Sequence, residues 1–146
     1  MTIAEQITQD LTASMKAGDT ARTGTLRLLR AAFKNEEIKL GHTLSDDESL
    51  KVLQREAKQR RDSIDQYRAA QRLELAEREE AELEIIQTYL PQPLSEDELR
   101  AIVAEVATAQ GDGAQMGAVI GAVMQRVGAR AEGGTVSRLV RERLGA

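Results

Sequence analysis

The sequence predicts an all-α fold: a four-helix N-terminal domain over residues 1–92, followed by a small three-helix C-terminal bundle over residues 93–146. Three observations carry this. Apolar residues recur at steps of three and four along nearly the whole chain, with no alternating stretch of the kind a strand shows. Helix-start signals of one type stand at Thr2, Ser45 and Ser95. The only two prolines, Pro91 and Pro93, sit one residue apart. Proline lacks an amide donor and restricts the residue before it, so Leu90 to Pro93 reads as an extended linker.

Each element has its own reason. Thr2 and Glu5 form a capping box, and Ile3, Ile7, Leu11 and Met15 follow on one face until Gly18 stops the helix. Asp19-Thr20 can cap a second helix, which carries Leu26, Leu29, Phe33 and Leu40 on one stripe and ends at Gly41. Ser45 and Glu48 make the next capping box, with Leu44 as its hydrophobic staple. A long third helix carries Leu50, Leu53, Ala57, Ile64 and Tyr67, and a fourth runs through Leu75, Leu83, Ile86 and Leu90. Ser95 and Glu98 repeat the start signal, with Leu94 placed to staple onto Leu99. Leu99, Ile102, Val103 and Val106 face one way, and Gly111-Asp112-Gly113 turns the chain. The sixth helix holds Met116, Val119, Ile120, Val123, Met124 and Val127; the last runs from Val136 to Leu144.

Composition excludes several chemistries. The chain of 146 residues has no cysteine, which removes thiol catalysis, disulfides and cysteine-ligated metals. One histidine, His42, cannot build a multi-histidine metal site, and it reads as an exposed turn residue after Gly41. One phenylalanine and two tyrosines leave little for stacking on bases. No P-loop, HExxH or GxSxG pattern occurs. No cofactor or metal is expected. No apolar run approaches the roughly 20 residues that span a bilayer. Residues Met1 to Asp10 carry acids rather than a basic apolar leader, so the expected compartment is the cytoplasm.

Two constellations stand out. At 100° per residue, Arg60 lies about 20° from Leu53 and about 40° from Ile64, on the apolar stripe of its helix. A charge there needs a carboxylate partner, unless the side chain snorkels out or turns back to Glu56. Glu36 lies about 20° from Leu29 on the stripe of helix two, so a structural ion pair Glu36–Arg60 is expected. The second constellation is Arg126, Arg130, Arg138, Arg141 and Arg143. These five arginines face only Glu132 and Glu142 across residues 126–143, a local balance of +3 in a chain of net charge −4. Arginine suits bidentate phosphate contacts. Gly117 and Gly121, with Ala118 and Ala122, give a thin helix face suited to close helix packing, or else to close approach by a ligand.

The chain resembles the YqeY family of small proteins that share the GatB/YqeY domain. The resemblance rests on Lys58-Gln59-Arg60-Arg61-Asp62-Ser63-Ile64, on Glu82-Leu83 with Tyr89-Leu90-Pro91 and Leu94-Ser95, on Met116-Gly117-Ala118-Val119-Ile120-Gly121 with Met124, and on Gly128-Ala129-Arg130-Ala131-Glu132-Gly133. Where the family tends to place glycine before an arginine, this chain has Ala70-Gln71-Arg72, so the break between helices three and four is expected to be less sharp. The resemblance implies kinship with the tail of the tRNA-dependent amidotransferase B subunit, and with it carbon–nitrogen ligase chemistry using glutamine as amido donor.

The residues themselves show no autonomous catalytic motif. The expected function is therefore a cytoplasmic helical adaptor contacting tRNA or another structured RNA through Arg126, Gly128, Arg130, Arg138 and Arg141. The other expectation is a docking module for an amidotransferase or aminoacyl-tRNA enzyme without RNA affinity. Neither DNA nor a membrane is an expected partner. The acidic pI argues against tight nonspecific nucleic-acid binding.

Overall fold

The computed structural model describes residues 1–145. Among these the chain forms seven α-helices and one short 3-10 turn, with no strand. The helices are α1 (Ile3–Ala17), α2 (Thr20–Leu40), α3 (Asp46–Ala69), α4 (Leu73–Gln87), α5 (Glu96–Gln110), α6 (Met116–Val127) and α7 (Gly133–Leu144), with the 3-10 turn at Gly128–Arg130 between the last two. The backbone divides into two compact units, Met1–Leu90 and Pro91–Ala146.

In the first unit, Thr2 caps α1 and Ser45 caps α3, each by a reciprocal box with the glutamate three residues on. Gly18 ends α1 and Gly41 ends α2, both in the left-handed region at φ +72° and +79°. The core gathers Ile7 and Leu11 of α1, Leu26, Leu29 and Phe33 of α2, Val52, Leu53 and Ala57 of α3 and Ile86 of α4. Burying each of the larger side chains contributes about 1.5–3 kcal/mol. Leu40, expected on the α2 stripe, is instead exposed. It lies in the last turn before the Gly41 cap, beyond the reach of the core cluster. The hydroxyls of Ser14 and Thr23 are buried together and share a hydrogen bond of 2.9 Å between α1 and α2. The Tyr89 hydroxyl, just past α4, donates to Asp10 of α1 at 2.5 Å. Burial first, and then the Asp10 carboxylate, push this phenol well above its ordinary value.

The connection between α3 and α4 is sharp, contrary to expectation. Gln71 takes φ +59°, the only positive φ at a non-glycine among the described residues. Its amide donates to the Arg68 carbonyl at 3.0 Å, and the Arg72 amide to the Tyr67 carbonyl at 2.8 Å. These two bonds make a complete Schellman closure with glutamine in the place that glycine favours. The hydrogen bonds hold the turn although the residue type opposes it.

The Glu36–Arg60 pair does not form. Glu36 of α2 pairs with Arg55 of α3 at 3.3 Å. Arg60 is only 12% exposed and faces α4 instead: its Nη1 meets Glu56 at 2.6 Å, and its Nε meets Glu82 at 3.2 Å and Glu79 at 4.0 Å. The inward direction of Arg60 is as the helical wheel indicates, but the carboxylates that receive it come from α4 and from one turn back on α3. One guanidinium thus serves three glutamates. Burial and the neighbouring Glu82 raise the Glu79 carboxyl above its ordinary value, with Arg60 opposing them.

In the second unit, Ser95 caps α5 with Glu98. The core is mainly valine and leucine: Leu99 and Val103 from α5, Val119, Val123 and Val127 from α6, Val136, Leu139 and Val140 from α7. Leu94 packs on this cluster, as a staple should, and its amide donates to the Arg130 carbonyl at 2.9 Å.

Candidate functional site

The site residues marked by the sequence lie on α6, the 3-10 turn and α7. Valines at 119, 123 and 127 turn one face of α6 into the core. At 100° per residue, Gly121 then lies about 160° from Val123 and points the opposite way. The structure agrees: Gly117, Ala118, Gly121 and Gln125 are exposed. A Cβ built on Gly117 or Gly121 would meet no atom within 4 Å. Close helix packing is therefore not the reason for these glycines. An exposed glycine inside a helix costs about 0.5–1 kcal/mol relative to alanine, and here no internal contact offsets it. The outward face of α6 is uncharged and, Gln125 apart, carries little side chain; the Gln110 amide donates to the Ala118 carbonyl at 3.3 Å, and the backbone at Gly117 and Gly121 stays open to another molecule.

Gly128 ends this face. Its φ of +56° with ψ of −130° lies in a region essentially reserved for glycine, and its amide closes α6 onto the Met124 carbonyl. The space around it is open. The glycine is needed for backbone shape, with approach by a partner compatible with that open space.

The five arginines separate into two groups. Arg126 pairs with Glu105 of α5 at 2.6 Å. Arg138 is held by Glu96 of α5 and by Glu142 at 3.1 Å. Arg100 completes a closed square, meeting Glu96 at 3.5 Å and Glu142 at 3.4 Å. The hydrogen bond from Arg138, and then the charges of Arg138 and Arg100, hold the Glu96 carboxyl below the usual glutamate range. Arg138 is pushed up in turn, mainly by its hydrogen bonds to Glu96 and Glu142. Arg130 lies in the 3-10 turn, where its Nε reaches the Gln92 carbonyl at a long 3.5 Å. Arg141 and Arg143 are exposed on α7, and their side chains form no ion pair among the described residues. Sequence reasoning missed Glu105 and Glu96 as partners because both lie on a different helix, where local charge counting does not look.

His42 is exposed; its Nδ1 lies 2.9 Å from the Thr43 carbonyl oxygen. Among the described residues, no three acidic or imidazole groups are placed to hold a metal ion, and no helix is long and apolar enough to cross a membrane.

Comparison with known proteins gives this architecture its relatives. The mitochondrial "altered inheritance of mitochondria protein 41" of Lachancea thermotolerans is 39% identical over 103 residues, covering 68% of this chain and 55% of that protein. The protein of the same name from Vanderwaltozyma polyspora is 39% identical over 83 residues, covering 56% and 45%. Protein C22F3.15 of Schizosaccharomyces pombe is 30% identical over 89 residues, covering 61% and 72%. The chain spans about half the length of the mitochondrial relatives it matches. The expectation of a cytoplasmic compartment is corrected by these names: similar chains are mitochondrial proteins. That expectation rested on the first ten residues, whereas targeting addresses are separate segments that a helical fold does not encode. A family model described as Yqey-like protein matches from residue 4 to residue 144, across both helical units, and the chain belongs to that family.

Proposed function

We propose that this chain is a helical adaptor that contacts tRNA or another structured RNA through its C-terminal unit, in the setting of glutamine-dependent tRNA amidotransferase chemistry. One observation supports this reading most. The outward face of α6 carries no charge and, Gln125 apart, little side chain, and exposed Arg126 and Arg130 stand two residues to either side of Gly128 at its end. A phosphodiester backbone is bulky, so it gains from a surface that lets it come close, and arginine supplies forked donors for its oxygens. Arg141, exposed on α7 with its guanidinium uncommitted, adds a further donor. The resemblance to the tail of the amidotransferase B subunit points to the same unit and the same class of RNA.

The contact is weak by construction. From residue 91 onward the chain has six arginines against seven acids, so no strong field attracts phosphate. Arg126 and Arg138 are also shared with Glu105, Glu96 and Glu142. Titration of labelled bulk tRNA tests the reading, with log affinity expected to fall by about 0.7–0.9 per phosphate contact for each tenfold rise in salt. Arg130→Ala and Arg141→Ala should each weaken binding and flatten that slope; Arg138→Ala should do less. Gly128→Val should weaken binding together with a lowered thermal melt, because valine cannot take the Gly128 backbone. No binding at about 100 µM protein in roughly 50 mM salt would sink the RNA reading.

The near balance of charge in this unit favours a second reading. In it, the same bare face docks on an amidotransferase or aminoacyl-tRNA enzyme with no RNA affinity of its own. Association with such an enzyme, undiminished by nuclease treatment and little affected by salt, would support it.

A further inference from the structure

A different surface, on the N-terminal unit, carries an inference of its own. Helix α2 buries Leu26, Leu29 and Phe33 on one side. On the other side Ala21, Gly24, Leu28, Ala31, Asn35 and Ile38 are all exposed. Their spacing is three, four, three, four, three, the alternation that makes a straight seam for a second helix. The seam runs over 18 residues, from Ala21 to Ile38, about 26 Å along the helix. Leu28 is 51% exposed and Ile38 74%, whereas Leu26, Leu29 and Phe33 of the same helix are buried. A Cβ on Gly24 would meet nothing within 4 Å, so no other element of the first unit fills the seam there. Small residues at three of six positions let another helix axis come close, and Leu28 and Ile38 supply the apolar contact.

The edge of this seam has one sign. Arg27 and Lys34 lie about 40° and 60° from Ala31 on one side, with Arg30 beyond them at about 100°. All three are exposed. Among the described residues none forms an ion pair, whereas Arg55, Arg60, Arg68, Arg100, Arg126 and Arg138 each do. Of the acids of α2, Glu36 turns to Arg55, and Glu37 lies on the same side as the cations but beyond them, about 120° from Ala31 and partly buried. Two copies of α2 laid together would bring these cations onto one another, so self-pairing through this face is disfavoured. The seam also lacks the exposed aromatic groups that nucleic-acid bases stack on.

We propose that this outward seam of α2, with its arginine and lysine edge, docks an amphipathic helix of a partner protein whose own apolar seam is flanked by acids. Packing along the seam gives the affinity, and the cationic edge sets partner choice and orientation. The surface is separate from the C-terminal arginines and owes nothing to RNA.

The full-length chain tests this with a fluorescently labelled four-heptad peptide, leucine and alanine at its seam positions and glutamate at its flanks, read by anisotropy at about 50 mM salt. Saturable binding is expected, and the same peptide with lysine flanks should not bind. Exposed charge pairs are worth about twofold each, so R27E combined with R30E and K34E should weaken binding about eightfold. A31E should abolish binding by placing a charge in the seam, with an unchanged thermal melt. R130A and R141A should leave peptide binding as it is, which separates this proposal from the RNA reading. Absence of binding at about 100 µM, or equal binding of the lysine-flanked peptide, overturns it. So does loss of self-association on A31E in a sedimentation run, which would make a second copy the occupant. Tighter binding of phosphatidylserine vesicles or bulk tRNA, lost in the triple reversal, would overturn it in favour of a membrane or an RNA.

Discussion

Replacing Arg60 with alanine is the severest single test of how the first unit holds together. The guanidinium is 12% exposed and its partners Glu56, Glu79 and Glu82 are 16%, 24% and 24% exposed. Removing one partner of a buried charge pair costs about 3–5 kcal/mol, because the other charge stays in a poor dielectric. The glutamates here still reach some water, which places the expected cost near the lower end, at about 3 kcal/mol. With a urea slope of about 2 kcal/mol/M, the midpoint should fall by about 1.5 M. Both tyrosines, Tyr67 and Tyr89, lie in the first unit, so tyrosine fluorescence reports this unit alone.

The cost should also depend on pH. Arg60 is what opposes the upward shift of Glu79, so its removal raises that carboxyl further in the folded state. The folded variant then holds protons that the unfolded chain releases, and its stability falls as pH rises through and above the carboxylate range. The penalty should be larger at pH 7.5 than at pH 5, and Glu79→Gln should relieve part of it. An unchanged urea midpoint, or a penalty equal at both pH values, would refute the reasoning.

Gln71→Gly should stabilise the first unit by about 1 kcal/mol, seen as a raised thermal midpoint, because glycine takes φ +59° without steric cost. Glu96, held low by Arg138 and Arg100, contributes stability that is present above the ordinary glutamate range and is lost as pH falls through its lowered value. Glu96→Gln should therefore flatten the acid limb of a melt that follows the second unit. A fragment of residues 93–146 should be helical by circular dichroism, since its core and its Ser95 cap lie within it; a random coil would show that it depends on the rest of the chain.

The helices were legible because their causes are local. A hydroxyl and a glutamate three residues apart, as at Thr2, Ser45 and Ser95, fix a helix start whatever lies around them. Partners across helices were not. A wheel gives the direction of Arg60 but not which helix stands there, and both α2 and α4 offer glutamates. The three-residue connection of α3 to α4 was the available signal, because helices joined so closely pack as neighbours. At Gly117 and Gly121 the wheel did hold the answer: they lie opposite the valines. The turn at Gln71 was hidden because its residue type opposes its conformation, and only the hydrogen bonds of the finished structure settle it. The arginines were visible as a count, while Glu105 and Glu96, which consume two of them, came from another helix.

The bond from Tyr89 to Asp10 joins positions 79 residues apart. Synthesis at about 5–20 residues per second separates the emergence of its two ends by about 4–16 seconds. Through that interval the ribosome exposes α1 and α2, which can pair at once through Ser14 and Thr23, but Ile86 is still missing from their shared core. The first unit therefore completes itself only once the residues just before the two prolines have emerged. The chain writes its punctuation just after the last residue that its first clause requires.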